Sequence, residues 1–128
     1  MSSIFVSYNS KERDLVKNIA DDLSDFGHKV WFDRELTGGH EWWDDILDQI
    51  RECDIFIFAL SPRALESYPC SLEYKYAAAL NKRVLPLLLA DVDMGVLPLE
   101  LSKIQFVDYR HPENRDSVKA LGRALNNL

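Results

Sequence analysis

Cysteine is scarce in this chain, and the two that occur follow no pattern. Cys53 and Cys70 have no framework spacing and no histidine partner nearby. That argues against a disulfide scaffold and for buried or half-buried thiols in a reducing compartment. Histidine is equally sparse: His28, His40 and His111 share no ligand spacing, so no metal site is expected. Neither G-x-G-x-x-G nor a Walker sequence occurs, and Gly38-Gly39 lacks the right flanks, which makes Rossmann-type dinucleotide binding improbable. No serine sits in a nucleophile elbow and neither thiol has an evident base. Positive charge is in deficit. With 15 Lys and Arg against 21 Asp and Glu, the net charge is −6 and no basic stripe offsets it. Non-specific nucleic-acid binding is therefore disfavoured, and an anionic substrate would need local cations such as Lys11, Arg13, Arg34 or Arg63. Long apolar runs are missing too. Ile55–Leu60 and Val84–Ala90 fall far short of the about 20 residues of a membrane-crossing helix. Met1-Ser2-Ser3 carries no basic n-region, so a cytoplasmic chain without membrane attachment is expected.

What is present is a 128-residue chain, 47% hydrophobic and 28% charged, long enough to bury about two-thirds of its unfolded surface without staples. One domain over residues 1–128 is expected, as a whole protein or as a module of a longer one. Ile4–Ser7 reads as a short strand closed by the turn-prone Tyr8-Asn9-Ser10, with Ser10 able to cap the following helix. Ser10 to Phe26 then places Leu15, Val16, Ile19, Ala20, Leu23 and Phe26 on one helical stripe, and Gly27 stops it. Lys29–Phe32 is a second strand. Residues 33–41 form a polar loop in which Gly38-Gly39 permits unusual backbone, and Trp42 to Arg51 returns to helix. Further strands are expected at Ile55–Leu60, Val84–Leu89 and Ile104–Val107, the fourth shortened or near an edge because Pro86 cannot donate to a ladder. Asp91 to Ser102 is mostly loop, Asp108–Pro112 a turn, and Glu113 to Asn127 the last helix. Strands alternating with helices imply right-handed crossovers and a parallel sheet covered on both faces, a flavodoxin-like order of elements.

The stretch from Ser61 to Leu80 organises the rest. Ile55–Leu60 suits a strand buried on both faces, so Ser61-Pro62 marks its carboxyl end, where open α/β sheets keep their sites. Pro69 suits the first turn of a helix, and Glu73 falls on its second turn, sharing a face with Cys70 and Ala77. A carboxylate aimed at protein or a cleft is costly unless something uses it.

Several of these segments resemble the TIR (Toll/interleukin-1 receptor) domain family, in its bacterial-type NAD-cleaving branch. Ser61-Pro62, Ser67, Cys70 and Glu73 match a strand–loop–helix motif whose glutamate is catalytic in the NAD-cleaving members. Ile4 to Tyr8, followed by Lys11 and Asp14, resembles the opening strand and first loop. Val30 to Asp33, through Gly38-Gly39 to Trp42, resembles the second strand and the long BB loop. One position departs: many NAD-cleaving members carry tryptophan four residues before the glutamate, where this chain has Pro69. The resemblance spans essentially the whole chain. It implies a flavodoxin-like three-layer α/β sandwich whose five-stranded parallel sheet has the order 2-1-3-4-5. It also implies a signalling or defence module, of the innate-immune or antiphage kind, that self-associates or meets other TIR domains through the BB loop at 33–41. In the enzyme branch such a module hydrolyses or cyclises NAD+ to nicotinamide and ADP-ribose. No cofactor is implied, since NAD+ is the substrate. A receiver-type phosphorylation domain shares the architecture, but it needs acidic residues where Ser7-Tyr8-Asn9 and Ser61-Pro62 stand.

Chemistry then turns on Glu73. Nicotinamide leaves from an already cationic nitrogen and needs no acid to protonate it, so one carboxylate suffices by holding ribose hydroxyls and stabilising oxocarbenium charge. The competing reading pairs Glu73 with a lysine or arginine on a solvated helix. Ser7 and Tyr8 are candidate substrate contacts, Tyr8 by stacking on a ring, against the alternative of rim packing. Trp42 matches the BB-loop aromatic near the family's nucleotide, or else anchors its helix with Trp43. Asp33 and Arg34 are candidate substrate or neighbour-subunit contacts. Ser67 and Cys70 either line the substrate or support the start of the helix. A non-enzymatic adaptor acting only by TIR–TIR contact is the alternative function.

Overall fold

Strand pairing is where the architecture is decided. In the computed structural model, which describes residues 2–32, 39–104, 106–111 and 113–126, β1 (Ser3–Ser7) pairs in parallel with both β2 (Lys29–Trp31) and β3 (Ile55–Leu60). β3 continues to β4 (Arg83–Leu88) and β4 to β5 (Val107–Asp108), giving the order β2-β1-β3-β4-β5. All four pairings are parallel, and the sheet has the order and direction expected of a flavodoxin-like fold. Strand order reverses between β1 and β3, so the loops leaving their carboxyl ends flank one crevice.

Alternation along the strands sorts the core into two halves. Ile4, Val6 and Tyr8 of the β1 segment face α1 (Arg13–Asp25) and α6 (Arg115–Asn126), packing with Val16, Ile19, Leu23, Leu121 and Leu125. Phe5, Phe56 and Phe58 face the other way, toward α2 (Gly39–Glu52) and α4 (Tyr68–Ala79), against Ile46, Ile50, Cys70 and Ala77. The short helices α3 (Pro62–Glu66) and α5 (Leu99–Ser102) close this second face through Ala64 and Leu101.

Element boundaries move for identifiable reasons. Asn9, not Ser10, makes the first cap: its side chain accepts from Lys11 N–H at 3.0 Å, giving a 3-10 turn at Ser10–Glu12, and α1 begins only at Arg13. Gly27, at φ +90°, ends α1 as expected. Phe26 lies just beyond the last turn and is 43% exposed instead of joining the stripe. The segment read as loop after Ser61 is helical, because Ser61 Oγ accepts from Ala64 N–H and Pro62 suits the first helical position. Beyond α4, Asn81 adopts a left-handed φ of 58°, and Lys82 Nζ donates to the carbonyls of Arg51 and Cys53, satisfying the end of α2.

Of the two accommodations expected for Pro86, a shortened strand or a place near an edge, the second is found. β4 keeps six residues and lies between β3 and β5. Leu89 N–H donates toward β3 and Leu88 O accepts from Tyr109, so alternation turns position 86 toward β5. There β5 has not begun, since it pairs only Leu87 and Leu88. The fifth strand is accordingly Val107–Asp108, later and shorter than the expected Ile104–Val107, and Ile104 and Phe106 stay partly exposed.

Gly122 inside α6 offers a stability test. A Cβ built there meets the Phe26 ring at 3.6 Å, ordinary contact distance. Gly122→Ala should therefore raise stability by about 0.5–1 kcal/mol, because it removes unfolded-state freedom without a clash. Urea unfolding of the two proteins reads this, and an unchanged or lowered midpoint would show that the Phe26 contact is tighter than it looks.

Candidate active site

Parity decides which of the sequence-selected residues meet. Ser7 follows Phe5 by two and so faces α4, while Tyr8 turns to the opposite side of the sheet. On α4, Ser67 Oγ caps the first turn, accepting from Cys70 N–H at 3.4 Å, and Pro69 occupies a first-turn position where no N–H is needed. The helix then presents Cys70, Glu73 and Ala77 to the sheet, each with no exposed surface. Ser7 Oγ donates to Glu73 Oε1 at 2.6 Å, joining residues 66 apart in the chain. Glu73 is thus a buried carboxylate and not one turned to solvent.

Two further contacts tie together the loops that flank the crevice. Ser61 Oγ, which caps α3, also donates to Glu12 Oε1 at 2.6 Å. Asn9 Nδ2 donates to the Arg63 carbonyl at 3.4 Å. Sequence reasoning missed both. The available signal was a polar residue in each loop, but nothing in spacing told which would meet. A cavity of about 430 Å³ opens beside these loops at the start of α4. Its wall includes Lys11 and Arg63, two of the four cations the sequence offered for an anionic ligand, together with Ser67 and Pro69.

The other candidates separate. Tyr8 is 1% exposed and tilts against Phe32 at 6.5 Å in the α1/α6 half of the core, which is packing and presents no ring face to a ligand in this structure. Cys70 is fully buried beneath the first turn of α4, and Ser67 is engaged as its cap. Asp33, Arg34 and most of the 33–41 loop lie outside the described residues, as does the side chain of Trp42, although its backbone belongs to α2. Burial pushes the Cys53 thiol above its ordinary value, with Lys82 opposing, so it stays protonated. Burial, then the charge of Glu100, pushes the Tyr74 phenol up as well. Burial and the hydrogen bond to Asp22 hold Tyr109 far above the usual phenol range. Among the described residues no group of three His, Cys, Asp or Glu side chains could hold a metal ion, and no helix is long and apolar enough to cross a membrane.

A family model described as TIR domain matches residues 4–125. Among solved structures, the TIR domain of a Toll-related receptor from Hydra magnipapillata superposes with a TM-score of 0.78 at 20% identity, over 98% of this chain and 99% of that one. The TIR domains of an activated resistosome that directly recognises a pathogen effector give 0.73 at 18% identity, over 99% of both chains. A CMP N-glycosidase of Clostridium botulinum gives 0.62 at 20% identity, over 98% of this chain and 99% of that one. No curated protein matches the sequence.

Proposed function

This chain belongs to the TIR-domain family, and from that premise we propose that it is a cytoplasmic signalling or defence module that self-associates and cleaves NAD+ at the nicotinamide–ribose bond. The observation that carries the reading is Glu73: a carboxylate with no exposed surface, beside the crevice between β1 and β3, on the α4 face that also buries Cys70 and Ala77. A carboxylate is costly to bury unless it is partnered or used, and substrate chemistry at the crevice is a use that fits its place. In the proposed reaction the C–N bond breaks with its electron pair going to nicotinamide, whose nitrogen becomes neutral. The carboxylate stabilises the positive charge left on the ribose and holds its hydroxyls, and water adds at the anomeric carbon and releases one proton. Addition of a nucleophile from within the same molecule would give the cyclic product instead. NAD+ is substrate throughout, and no cofactor or metal enters. Lys11 and Arg63 line the cavity at the start of α4, beside Glu66, and in this reading they would take the substrate's diphosphate. That the fold hosts an N-glycosidase in Clostridium botulinum is consistent with the bond chosen.

Glu73 has no exposed surface, so it must be uncovered before substrate can reach it. We assign that step to assembly through the 33–41 loop, with Asp33, Arg34 and Trp42 meeting substrate or a neighbouring copy there. Specific activity should therefore fall as protein is diluted, by tenfold or more across the assembly range. A constant rate per molecule down to the lowest measurable concentration would remove assembly from the mechanism. The adaptor reading, in which TIR–TIR contact is the whole function, is favoured by one observation: Pro69 stands where many NAD-cleaving relatives carry tryptophan. Nicotinamide release from NAD+ at high protein concentration, wild type beside folded Glu73 variants, separates the two.

A further inference from the structure

We propose that Ser7 is a positioning residue for Glu73 and not a contact to substrate, an inference that rests on the catalytic reading of Glu73. A serine hydroxyl has one proton to donate. Here Ser7 Oγ gives it to Glu73 Oε1 at 2.6 Å, with both residues at 0% exposure. A substrate hydroxyl would find Ser7 able only to accept.

The placement is built into the fold rather than into a loop. Ser7 is the last residue of β1, paired in register with Phe58 of β3 on one side of a strand that is also paired with β2 on the other. The β2 pairing ends at Phe5, so β3 holds the backbone of Ser7 from one side, and α4 packs directly on β1. Phe5, two residues earlier on the same face, is stacked between Trp31 at 5.0 Å and Phe56 at 5.5 Å. Glu73 is a flexible side chain on a rigid helix, with three side-chain torsions to restrict. A short hydrogen bond from a fixed strand end restricts them, and it selects which carboxyl oxygen is turned away from Ser7. The reacting oxygen is then set by a residue that never touches the substrate.

The effect to be read is on turnover and not on binding. Loss of the hydroxyl leaves the Glu73 carboxyl present but without the contact that sets its torsions from β1, and misplacement of a reacting group by about 1 Å costs on the order of 100-fold. Ser7→Ala should lower kcat by about 10- to 100-fold with KM within about twofold, and Ser7→Thr, which restores the hydroxyl, should recover most of the loss. A rise in KM with kcat intact would make Ser7 a substrate contact and overturn the proposal.

A second measurement does not depend on NAD+ cleavage. Urea midpoints are taken for wild type, Ser7→Ala, Glu73→Met and the double variant, with Ser7→Cys in place of Ser7→Ala should that variant not fold. Positioning requires that the Ser7 substitution shift the midpoint by a different amount in the Glu73→Met background than in wild type. Additive shifts would overturn the proposal whatever the kinetics. Coupled shifts in a protein that releases no nicotinamide would keep the Ser7–Glu73 contact and discard the NAD+ reading, so the two failures are distinguishable.

Discussion

Glu73→Ala should abolish nicotinamide release from NAD+ while leaving a folded domain, and Glu73→Gln should lose nearly as much. The two variants ask different questions of one atom. Alanine removes both the charge and the acceptor of the Ser7 hydrogen bond, whereas glutamine keeps an acceptor oxygen and nearly the same volume and removes the charge alone. If the carboxylate acts by stabilising positive charge on ribose, charge is what matters, and each variant should fall by about 100- to 1,000-fold, or about 2.7–4 kcal/mol of transition-state stabilisation. Folding should survive. Alanine is the best helix former, its neighbours on α4 already include Ala77, Ala78 and Ala79, and each buried polar group left without Glu73, Ser7 among them, costs about 1–3 kcal/mol against a total of about 5–15. Circular dichroism of the variants beside wild type checks the fold, and nicotinamide is followed by chromatography. A glutamine variant within about threefold of wild type would show that negative charge is not used, and the oxocarbenium role would have to be given up.

How much of this was legible in the sequence depends on the distance over which each feature is decided. Strand existence and order followed from runs such as Ile55–Leu60 and from the family resemblance, and the sheet has the expected order. The placement of Glu73 on an apolar helix face followed from counting three back to Cys70 and four on to Ala77, and all three are buried. The Ser7 contact of Glu73 did not follow, yet it was within reach. Counting by twos from Phe5 puts Ser7 on the α4 face and sends Tyr8 to the other, which separates two residues the sequence had treated together. The Glu12–Ser61 and Asn9–Arg63 contacts were out of reach, because they depend on how two loops lie across a sheet and no period in either loop encodes that. Boundaries shifted where side chains compete with the backbone. Asn9 captured an N–H that Ser10 was expected to cap for, and the late start of β5 was set by the pairing available beyond Pro86 rather than by the apolar content of Ile104–Val107.

Phe5→Ala should do the opposite of Glu73→Ala, destabilising the domain severely while leaving the chemistry intact in the molecules that remain folded. Phe5 is fully buried in the middle of an aromatic rank that crosses three strands. Trp31 stacks on one side at 5.0 Å and 11°, Phe56 on the other at 5.5 Å and 9°, following the strand register Trp31–Phe5–Phe56. Truncation removes the transfer energy of the ring, leaves a cavity between two rigid neighbours that cannot close it, and forfeits two stacking contacts. Loss of the ring costs about 3–5 kcal/mol, out of a total of about 5–15. That corresponds to a melting temperature lower by roughly 10–20 °C. Phe5→Leu, which keeps much of the volume, should lose considerably less. Neither substitution touches Ser7 or Glu73, so activity measured well below the lowered melting temperature should stay within a few-fold of wild type. Should Phe5→Ala lose activity in a protein that is still folded by circular dichroism, the aromatic rank would be setting the position of Ser7 under α4, and core packing and site geometry would be one property of β1 rather than two.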